Sequence, residues 1–507
     1  MNGGKRDLMV ALSVANLSLL EVWRNIVFAT PYLLPLWTWR DLVAALFNLA
    51  WLTVLCWVAL RSRNSPRWSR LHLDRLIFVL PAVVFANFIQ HQFPLQVSVV
   101  WEDRTQTLLA CAGFLLIAFA IARWTRRAFA LFEFAAICLL AFLPLAFVQA
   151  AWVVAREQAQ PRLAGRLASP APAHRVVWVI LDEMDWRYTF PLRPAWLHLP
   201  EVDRLRSESF NSDVALESGL QTGLAMPSLI LGKTVYSANP QGTSELLLGL
   251  NPDPGAGLNW PKEPNLFDQA RRLGYNVGVV GWFLPYCRMF AESLASCYWE
   301  AIDSRVRDTR PSLWFSIRSQ IRTLSPVADR MRHVTRYRNM MTRAKAAACD
   351  PSLQLVLLHL PVPHPPGIYD RETGTLTAFD FRDSWYFDNL ALADRTVGEL
   401  RHSMEEAGVW DSTTVLVSTD HALRWITGFN ENTDPRVPFL LKLAGQHQGF
   451  SYSRPFTTLL THDLILDVLQ GRLSQPEDVA RWIDRRPPAR IPRTLLSAQV
   501  PGSAAHN

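Results

Sequence analysis

Long apolar segments in the first 156 residues constrain the fold of this chain more than any other feature of its sequence. A helix needs about 20 apolar residues to cross a bilayer. Five segments approach or exceed that length: residues 8–23, 41–61, 75–90, 107–123 and 128–156. The first and third are weaker, and a buried or interfacial helix is the alternative for them. We predict a polytopic α-helical membrane domain with about five spans over residues 1–156.

Positive residues lie in alternate loops of this region, which predicts how the spans are oriented. Lys5 and Arg6 precede the first segment, while residues 61–75 and 123–127 are rich in arginine. The loop over residues 91–106 has a single arginine beside two acids. Because Lys and Arg are enriched in cytoplasmic loops, we place the N-terminus and both arginine-rich loops in the cytoplasm. An odd number of spans then places the rest of the chain on the outer side.

Composition agrees with a membrane protein. Hydrophobic residues make up 50% of the chain, and the excess lies in the apolar segments. The formal net charge of +7 reflects in part the arginine-rich loops. We expect no nucleic-acid partner, because basic and aromatic residues do not interleave in a recognisable binding module.

The cysteines differ in their surroundings. Cys56, Cys111 and Cys138 lie in apolar segments, where cysteine behaves as a small hydrophobic residue. Cys287 and Cys297 lie in the part of the chain that we expect to be exported, and such a pair can form a disulfide in an oxidising compartment. Two unpaired buried thiols are the alternative.

After the apolar region, the pattern changes to alternating strands and helices. Residues 157–174 are rich in Pro, Ala and polar residues, which predicts a linker. Strand patterns occupy residues 175–183, 353–360, 413–421 and 437–443, and helical patterns occupy residues 199–210, 263–275, 386–408 and 461–471. This alternation predicts an α/β domain with a mostly parallel central sheet between helices. We assign it residues 175–480, and we assign residues 481–507 to a C-terminal tail.

Acidic and imidazole side chains stand at or just beyond the ends of three predicted strands: Asp182 and Glu183, His359 and His364, and Asp420 and His421. Any one of them alone would fit a helix cap or a hydrogen-bonded loop residue. Ligands of parallel α/β sheets bind beyond the carboxyl ends of the strands. Carboxylate oxygens and imidazole nitrogens gathered at that edge predict a divalent metal site.

Residues 216–234, "LESGLQTGLAMPSLILGKT", contain candidates for a nucleophile beside such a metal. The hydroxyl candidates are Ser218, Thr222 and Ser228. A hydroxyl becomes a good nucleophile when a metal or base lowers its pKa, and a helix N-terminus helps to hold an anionic substrate. Thr222 has glycines on both sides and precedes an apolar helix, yet it could equally be only a helix N-cap. Local sequence leaves this choice open.

Taken in order, these motifs resemble those of the alkaline phosphatase/sulfatase superfamily over roughly residues 174–475. Within it they resemble membrane-anchored phosphoethanolamine transferases of the outer-membrane-modifying type and lipoteichoic-acid-synthase-like phosphoglycerol transferases, which also carry preceding spans. The matches are Asp182 at the end of the first strand, Thr222 five residues before Pro227, His359 and His364 in the histidine loop, and the pair Asp420-His421. Pro227 would open an apolar helix.

The resemblance implies a role for each matched residue. Asp182, Thr222, Asp420 and His421 would bind a zinc or manganese ion. Thr222 would attack a phosphodiester and form a phospho-threonine intermediate. His364 would contact the phosphoryl group or assist proton transfer, and His359 would help to bind the substrate.

Two departures from the families narrow the reading. Formylglycine sulfatases need Cys or Ser, then Pro and Arg, in a short motif, whereas this chain has Ala225 and Leu229 at those positions, so sulfatase activity is not expected. The transferases usually carry another histidine after the Asp–His pair, and this chain has Arg424 there instead. Arg424 could bind a phosphate oxygen or be an ordinary surface residue. Glu183 could be a further metal ligand or a neighbour.

The sequence therefore predicts a metal-dependent phosphotransferase in a bacterial-type inner membrane, with its catalytic domain outside the cytoplasm. Its partners would be a phospholipid donor, a lipid or glycan acceptor, and the membrane. A membrane-tethered phosphodiesterase or phosphatase is the first alternative, because both share the covalent intermediate. A catalytically inactive envelope-assembly protein of the same fold is the second.

Overall fold

The structure is a computed structural model of the 507-residue chain. It describes residues 3–27, 38–66, 72–82, 84, 112–113, 115–121, 123–124, 126–156, 161–168, 174–241, 244–252, 257–301, 312–322, 326–379, 382, 384–423 and 434–487. Most of the predicted C-terminal tail and part of the predicted linker lie outside these residues.

Helices and strands follow one another along the chain. The helices are α1 Gly3–Ser18, α2 Leu20–Val27, α3 Trp39–Ser62, α4 Leu73–Leu76, α5 Arg126–Leu139, α6 Phe142–Arg156, α7 Trp186–Thr189, α8 Pro200–Ser207, α9 Thr222–Leu231, α10 Leu266–Arg272, α11 Tyr286–Met289, α12 Leu313–Arg322, α13 Pro326–Cys349, α14 Trp385–Glu406, α15 Thr461–Leu469 and α16 Pro476–Asp484. The strands are β1 Arg175–Leu181, β2 Phe210–Ser212, β3 Ala215–Leu216, β4 Ser237–Pro240, β5 Leu246–Gly249, β6 Leu258–Asn259, β7 Val277–Trp282, β8 Ser296–Glu300, β9 Leu355–Leu360, β10 Tyr369–Asp370, β11 Thr375–Leu376, β12 Thr413–Ser418, β13 Phe439–Lys442, β14 Phe450–Tyr452 and β15 Phe456–Thr457.

The chain divides into two compact units. The helical unit comprises Met1–Ala159, Asp303–His333 and Ala378–Asp383, and the α/β unit comprises Gln160–Ile302, Val334–Thr377 and Ser384–Asn507. Two stretches from the later part of the chain thus belong to the helical unit. One of them contains α12, which packs on α3.

Two helical stretches of the described residues, Trp39–Ser62 and Arg127–Ala155, are long and apolar enough to cross a membrane. They correspond to the second and fifth predicted spans. Much of the third and fourth predicted spans lies outside the described residues, so the count of five spans stays a prediction. Large apolar side chains face outward along α3, α5 and α6: Val54, Val58, Leu131, Phe134, Leu145 and Val148 are each more than half exposed.

A buried ion network ties three helices of the helical unit together. Asp7 of α1 and Glu133 of α5 are both 3% exposed. Arg63, which follows α3, contacts both carboxylates, and Arg6 also contacts Glu133. The start of α1 and the end of α3 therefore lie on one side of this unit, as the positive-inside pattern predicts for them.

The α/β unit is built on an eight-stranded sheet in the order β14-β2-β13-β12-β1-β9-β7-β8. The five strands from β12 to β8 in this order are all parallel, and β13 is antiparallel to both of its neighbours. This confirms the predicted α/β class with a mostly parallel sheet. The buried, β-branched strands β1, β9 and β12 lie side by side at its centre.

Helices cover both faces of this sheet. Alternate residues of β1, such as Val177 and Val179, join one core with side chains of α8, α13 and α14. Helices α9, α10 and α15 pack with one another, and α15 contacts β1 on the other face. Three small sheets, β4-β5-β6, β10-β11 and β15-β3, accompany the main sheet.

Each strand and helix pattern identified in the α/β part of the sequence occurs in the structure. The predicted disulfide is also confirmed, because Cys287 and Cys297 are bonded. The pattern analysis missed β7 and β8. The run "VGVVGW" of β7 carried the signal, since it is short, apolar and β-branched.

Candidate active site

Strand register brings three of the predicted site residues to one edge of the sheet. Ile180 of β1 pairs with Ser418 of β12 on one side and with His359 of β9 on the other. Asp182 and Asp420 each follow two residues later, so they lie at the same level. Side chains two apart on a strand point to the same face, which places both acids on the face to which His359 also points.

Asp182, His359 and Asp420 form a buried group with the geometry of a metal site. One ligand atom from each lies within 4.8 Å of the other two. All three residues are fully buried, and Asp182 Oδ1, His359 Nε2 and Asp420 Oδ2 have no hydrogen-bond partner among the described residues. Unpaired buried polar atoms are costly, and a divalent cation would satisfy all of them. The sequence predicted the two acids as ligands but assigned His359 to the substrate.

Glu183 adds a third buried carboxylate beside this group. Its backbone is left-handed, with φ of 63°, which is unusual for a residue other than glycine. Its N–H donates to Asp420 Oδ1 at 3.3 Å, and its carbonyl accepts a hydrogen bond from Tyr386 Oη at 2.9 Å. Burial raises the pKa of Glu183, and its Oε2 has no partner among the described residues. Both readings of Glu183, further ligand or neighbour, therefore stay open.

Thr222 is the first residue of α9, and its side chain reaches the site. Its Oγ1 lies 3.3 Å from His421 Nε2. The N–H groups of Leu224 and Ala225 bond to the carbonyl of Gln221, so the N–H groups of Thr222 and Gly223 lie at the open end of the helix. This end favours an anion through its N–H groups and its dipole.

The two serine candidates have structural roles instead. Ser218 Oγ donates to the Ala225 carbonyl at 3.4 Å. Ser228 Oγ donates to the Leu224 carbonyl at 2.7 Å and accepts from the Val235 N–H at 2.9 Å. Of the three hydroxyls, the structure brings that of Thr222 to the candidate site.

Gly219 is required where the chain turns into α9. A Cβ at this position would lie 2.7 Å from the Ala225 backbone nitrogen, which no side chain could tolerate without backbone movement. One detail of the prediction needs correction. Pro227 does not open the helix, because α9 already begins at Thr222 and Pro227 lies inside it. Its ring removes only the bond that would reach Gly223, in the first turn.

His421 is held in one orientation by its own backbone. Its Nδ1 lies 2.8 Å from the Ala422 carbonyl, which can only accept, so Nδ1 carries the proton. Nε2 is then the nitrogen that faces Thr222 and that could ligate a metal. Burial lowers the pKa of His421, but the neighbouring carboxylates outweigh burial and raise it to about 9.

The pKa of Asp182 is shifted downward, whereas that of His421 is shifted upward. Burial alone raises the pKa of a carboxyl group, but the neighbouring imidazoles outweigh it and hold the pKa of Asp182 below its ordinary value. The indole N–H of Trp282 also donates to Asp182 Oδ2 at 2.6 Å. Imidazoles and this indole N–H thus offset part of the negative charge of Asp182.

His364 lies on the loop after β9, half-buried, with its ring 4.9 Å from that of Trp282. Burial lowers its pKa, but Glu183 and Asp182 outweigh burial and raise it. Sequence reasoning missed the residue that holds this loop. Asn389 of α14 is fully buried, and its Nδ2 lies within 3.3 Å of three loop carbonyls, one of them that of His364.

Tyr286 is a second functional residue that the sequence did not reveal. Its hydroxyl lies 2.9 Å from His359 Nδ1, and both residues are fully buried. The Tyr286 ring packs against Gly281 of β7, where a Cβ would approach it to 2.4 Å. The disulfide anchors the neighbouring Cys287 to β8. The one sequence feature that could have pointed to Tyr286 is its position next to Cys287, a predicted disulfide cysteine.

Arg424, the remaining predicted site residue, lies outside the described residues. Its role stays a prediction.

No family model and no curated protein matches this sequence. Sulfatases and members of the alkaline phosphatase superfamily are among the solved structures that match the chain in structure. The Ps i-CgsB structure with a neocarrahexaose is 13% identical and covers 61% of this chain and 74% of that chain, with a TM-score of 0.43.

Two further structures are described as hydrolase or superfamily members. The phosphonate monoester hydrolase SpPMH from Silicibacter pomeroyi is 13% identical over 58% of this chain and 72% of that chain, with a TM-score of 0.40. An alkaline phosphatase superfamily protein from Vibrio parahaemolyticus is 13% identical over 59% and 68%, with a TM-score of 0.37. With such low identities and TM-scores, activity is inferred from the site itself.

The Tyr286–His359 contact predicts a measurable effect on metal binding. Tyr286→Phe removes the hydroxyl that orients the imidazole, and loss of such an outer contact weakens metal affinity about 10–100-fold. Titration of the metal-free protein with zinc against a competing chelator measures this. Tyr275→Phe is the matched control, because Tyr275 is also buried but donates to the Leu469 carbonyl. Equal affinities of the wild type and Tyr286→Phe would contradict the role.

The raised pKa of His421 predicts how pH affects the metal-free protein. Its pKa rises from about 6.5 in the unfolded chain to about 9 in the fold. The protonated imidazole therefore stabilises the fold fully below pH ~6.5, and this contribution, at most about 3 kcal/mol, is lost as pH rises through about 9. Thermal unfolding in the presence of a chelator should show a melting temperature that falls between these values, and falls less in His421→Gln. A flat or rising profile would contradict it.

Proposed function

We propose that this chain is a membrane-anchored, metal-dependent phosphotransferase. It would move a phospholipid headgroup of the phosphoethanolamine or phosphoglycerol type to an envelope lipid or glycan through a phospho-threonine intermediate. One observation carries the proposal: the Thr222 hydroxyl lies at a helix N-terminus, 3.3 Å from His421 and beside the buried group Asp182, His359 and Asp420.

The residues present fit a divalent metal ion. Asp182, Asp420, His359 and His421 would hold it, with Glu183 as a neighbouring carboxylate. Two carboxylates and two imidazoles are a donor set that suits zinc or manganese. A bound divalent ion would lower the pKa of the Thr222 hydroxyl and offset charge on the phosphoryl group.

In the first half-reaction, Thr222 Oγ1, its proton lost to solvent, would attack the phosphorus of the donor phosphodiester as an alkoxide. A bond between Oγ1 and phosphorus forms, and the bond from phosphorus to the lipid alcohol breaks. His364 would give the leaving alcohol its proton, which suits an imidazole whose pKa is raised. The N–H groups of Thr222 and Gly223 would receive a non-bridging oxygen.

In the second half-reaction, an acceptor hydroxyl would attack the phospho-threonine. His364 would take the proton of that hydroxyl, and the bond from phosphorus to Thr222 Oγ1 would break. Thr222 Oγ1 leaves as the alkoxide with which the first half-reaction begins. Water in place of the acceptor turns the same site into a phosphodiesterase. The residues of the site serve both reactions equally, so the acceptor decides between transferase and hydrolase.

The apolar helices support a membrane anchor. Proteins that expose large contiguous apolar patches usually cover them with a partner or a membrane. Here α3 and the stretch Arg127–Ala155 combine sufficient length with outward apolar side chains. We propose a bacterial-type inner membrane with several spans, and an α/β unit outside the cytoplasm where phospholipid donors and envelope acceptors are available.

Thr222→Ala tests the covalent step. Purified protein is incubated with phospholipid labelled in its headgroup phosphate, with and without detergent-solubilised envelope lipid as the acceptor. The wild type should carry label on Thr222 and release it to the acceptor or to water, whereas Thr222→Ala should fall to background, because the variant lacks the attacking oxygen.

Ser228→Ala is the matched control, since it removes a hydroxyl of the same helix that bonds only backbone groups. It should retain labelling. Release of label in the absence of acceptor would favour the hydrolase. A folded, metal-loaded wild type that takes no label would favour the inactive envelope-assembly protein and would contradict the proposal.

A further inference from the structure

Helix α12 is joined to α3 by hydrogen bonds between buried polar side chains of the helical unit. Asn48, in the third turn of α3, is fully buried, and Gln320 of α12 is 4% exposed. Asn48 Nδ2 donates to Gln320 Oε1 at 3.0 Å and to the Ile317 carbonyl at 3.2 Å. Gln320 Nε2 donates in turn to the Asp41 carbonyl at 2.8 Å. Asn48 thus bonds to a side chain and a carbonyl of α12, and Gln320 bonds back to the backbone of α3.

A second contact lies nearer the start of α3. Ser316 Oγ donates to Asp41 Oδ1 at 2.8 Å. Thr38 Oγ1 donates to the other oxygen of this carboxylate, Asp41 Oδ2. Asn48 Oδ1 also accepts from Trp51 Nε1 at 3.0 Å. Two turns of α3 therefore carry a row of polar groups whose partners come largely from α12.

The position of these contacts along α3 determines how deep in the bilayer they would lie. Asn48 follows Trp39 by nine residues, which is about 13 Å along a helix. The apolar core of one leaflet is about 15 Å thick. If α3 crosses the membrane, as the proposed function holds, the α12 residues that contact Asn48 lie below the surface of the leaflet in which α3 begins. The positive-inside pattern makes that the outer leaflet.

The outward face of α12 suits this location. Leu313 is 41% exposed and Trp314 is 63% exposed, and Arg318 on the same side is also exposed. Trp39, at the start of α3, is 57% exposed. Tryptophan and arginine around an apolar contact are typical of helices that lie in the interface of a bilayer.

We propose that α12 is an interfacial helix seated in the outer leaflet, where Leu313 and Trp314 contact phospholipid. The inference rests on the membrane placement in the proposed function and extends it to a segment far from the N-terminal spans. In the sequence, α12 lies between β8 and β9 of the catalytic sheet. The chain that carries the candidate active site would therefore return to the membrane between two strands of its sheet.

Single labels on the full chain test this. The cysteines outside the Cys287–Cys297 pair are replaced by serine, and an environment-sensitive fluorophore is attached at Trp314→Cys or, as a second α12 position, Leu313→Cys. The protein is placed in phosphatidylethanolamine/phosphatidylglycerol vesicles that contain either ordinary or brominated acyl chains. Val54→Cys, an exposed position in the middle of α3, reports whether α3 is in lipid. Ser412→Cys, an exposed position between α14 and β12, is the aqueous control.

The inference predicts that brominated lipid quenches the α12 labels severalfold more than the Ser412→Cys label, and that it also quenches the Val54→Cys label. Quenching at Val54→Cys with none at either α12 position would overturn the inference and leave the membrane placement standing. No quenching at Val54→Cys would overturn both. Gln320→Leu removes the hydrogen bond between Asn48 and Gln320 and should reduce quenching of the Trp314→Cys label. Unchanged quenching of that label would contradict the role of the Asn48–Gln320 contact.

Discussion

The burial of negative charge at the ends of parallel strands is the constraint on which the rest of the α/β unit depends. Asp182, Glu183 and Asp420 are all within 1% of complete burial. Charges of one sign taken out of water are expensive unless cations or donors surround them. Imidazoles, an indole N–H and one backbone N–H supply part of that compensation. The carboxylate and imidazole atoms that stay unpaired converge where a divalent cation would complete it.

Much of this arrangement could be predicted because it is local in the sequence. Short β-branched runs gave the central strands, and polar residues at their ends gave Asp182, His359 and Asp420. The outer contacts could not be predicted, because they depend on strand order and on close approaches. Tyr286 reaches His359 only because β7 lies beside β9 and because Gly281 leaves room for the ring. Asn389 acts from a helix that follows the loop it holds. The strand pattern could not show that His359 lies beside the two acids, because that depends on the register between β9 and β1.

In the helical unit, buried polar side chains also form networks, as those around Glu133 and Asn48 show. The sequence indicated the apolar stretches and the alternation of arginines. It did not indicate that α12, separated from α3 by more than 250 residues, supplies the partner for Asn48. Such long-range pairs leave no period in the sequence, so only the fold reveals them.

Metal content measured by mass spectrometry on protein purified without chelator tests the central claim most directly. The account predicts that the wild type retains a divalent ion in stoichiometric amount and that Asp420→Asn loses it. Asp394→Asn is the matched control, because Asp394 is a buried acid of the same unit that accepts a bond from the Val202 N–H far from the group, and its pKa is raised to about 7. That variant should keep the ion. A wild type without bound metal, or an Asp420→Asn variant that keeps it, would contradict the account.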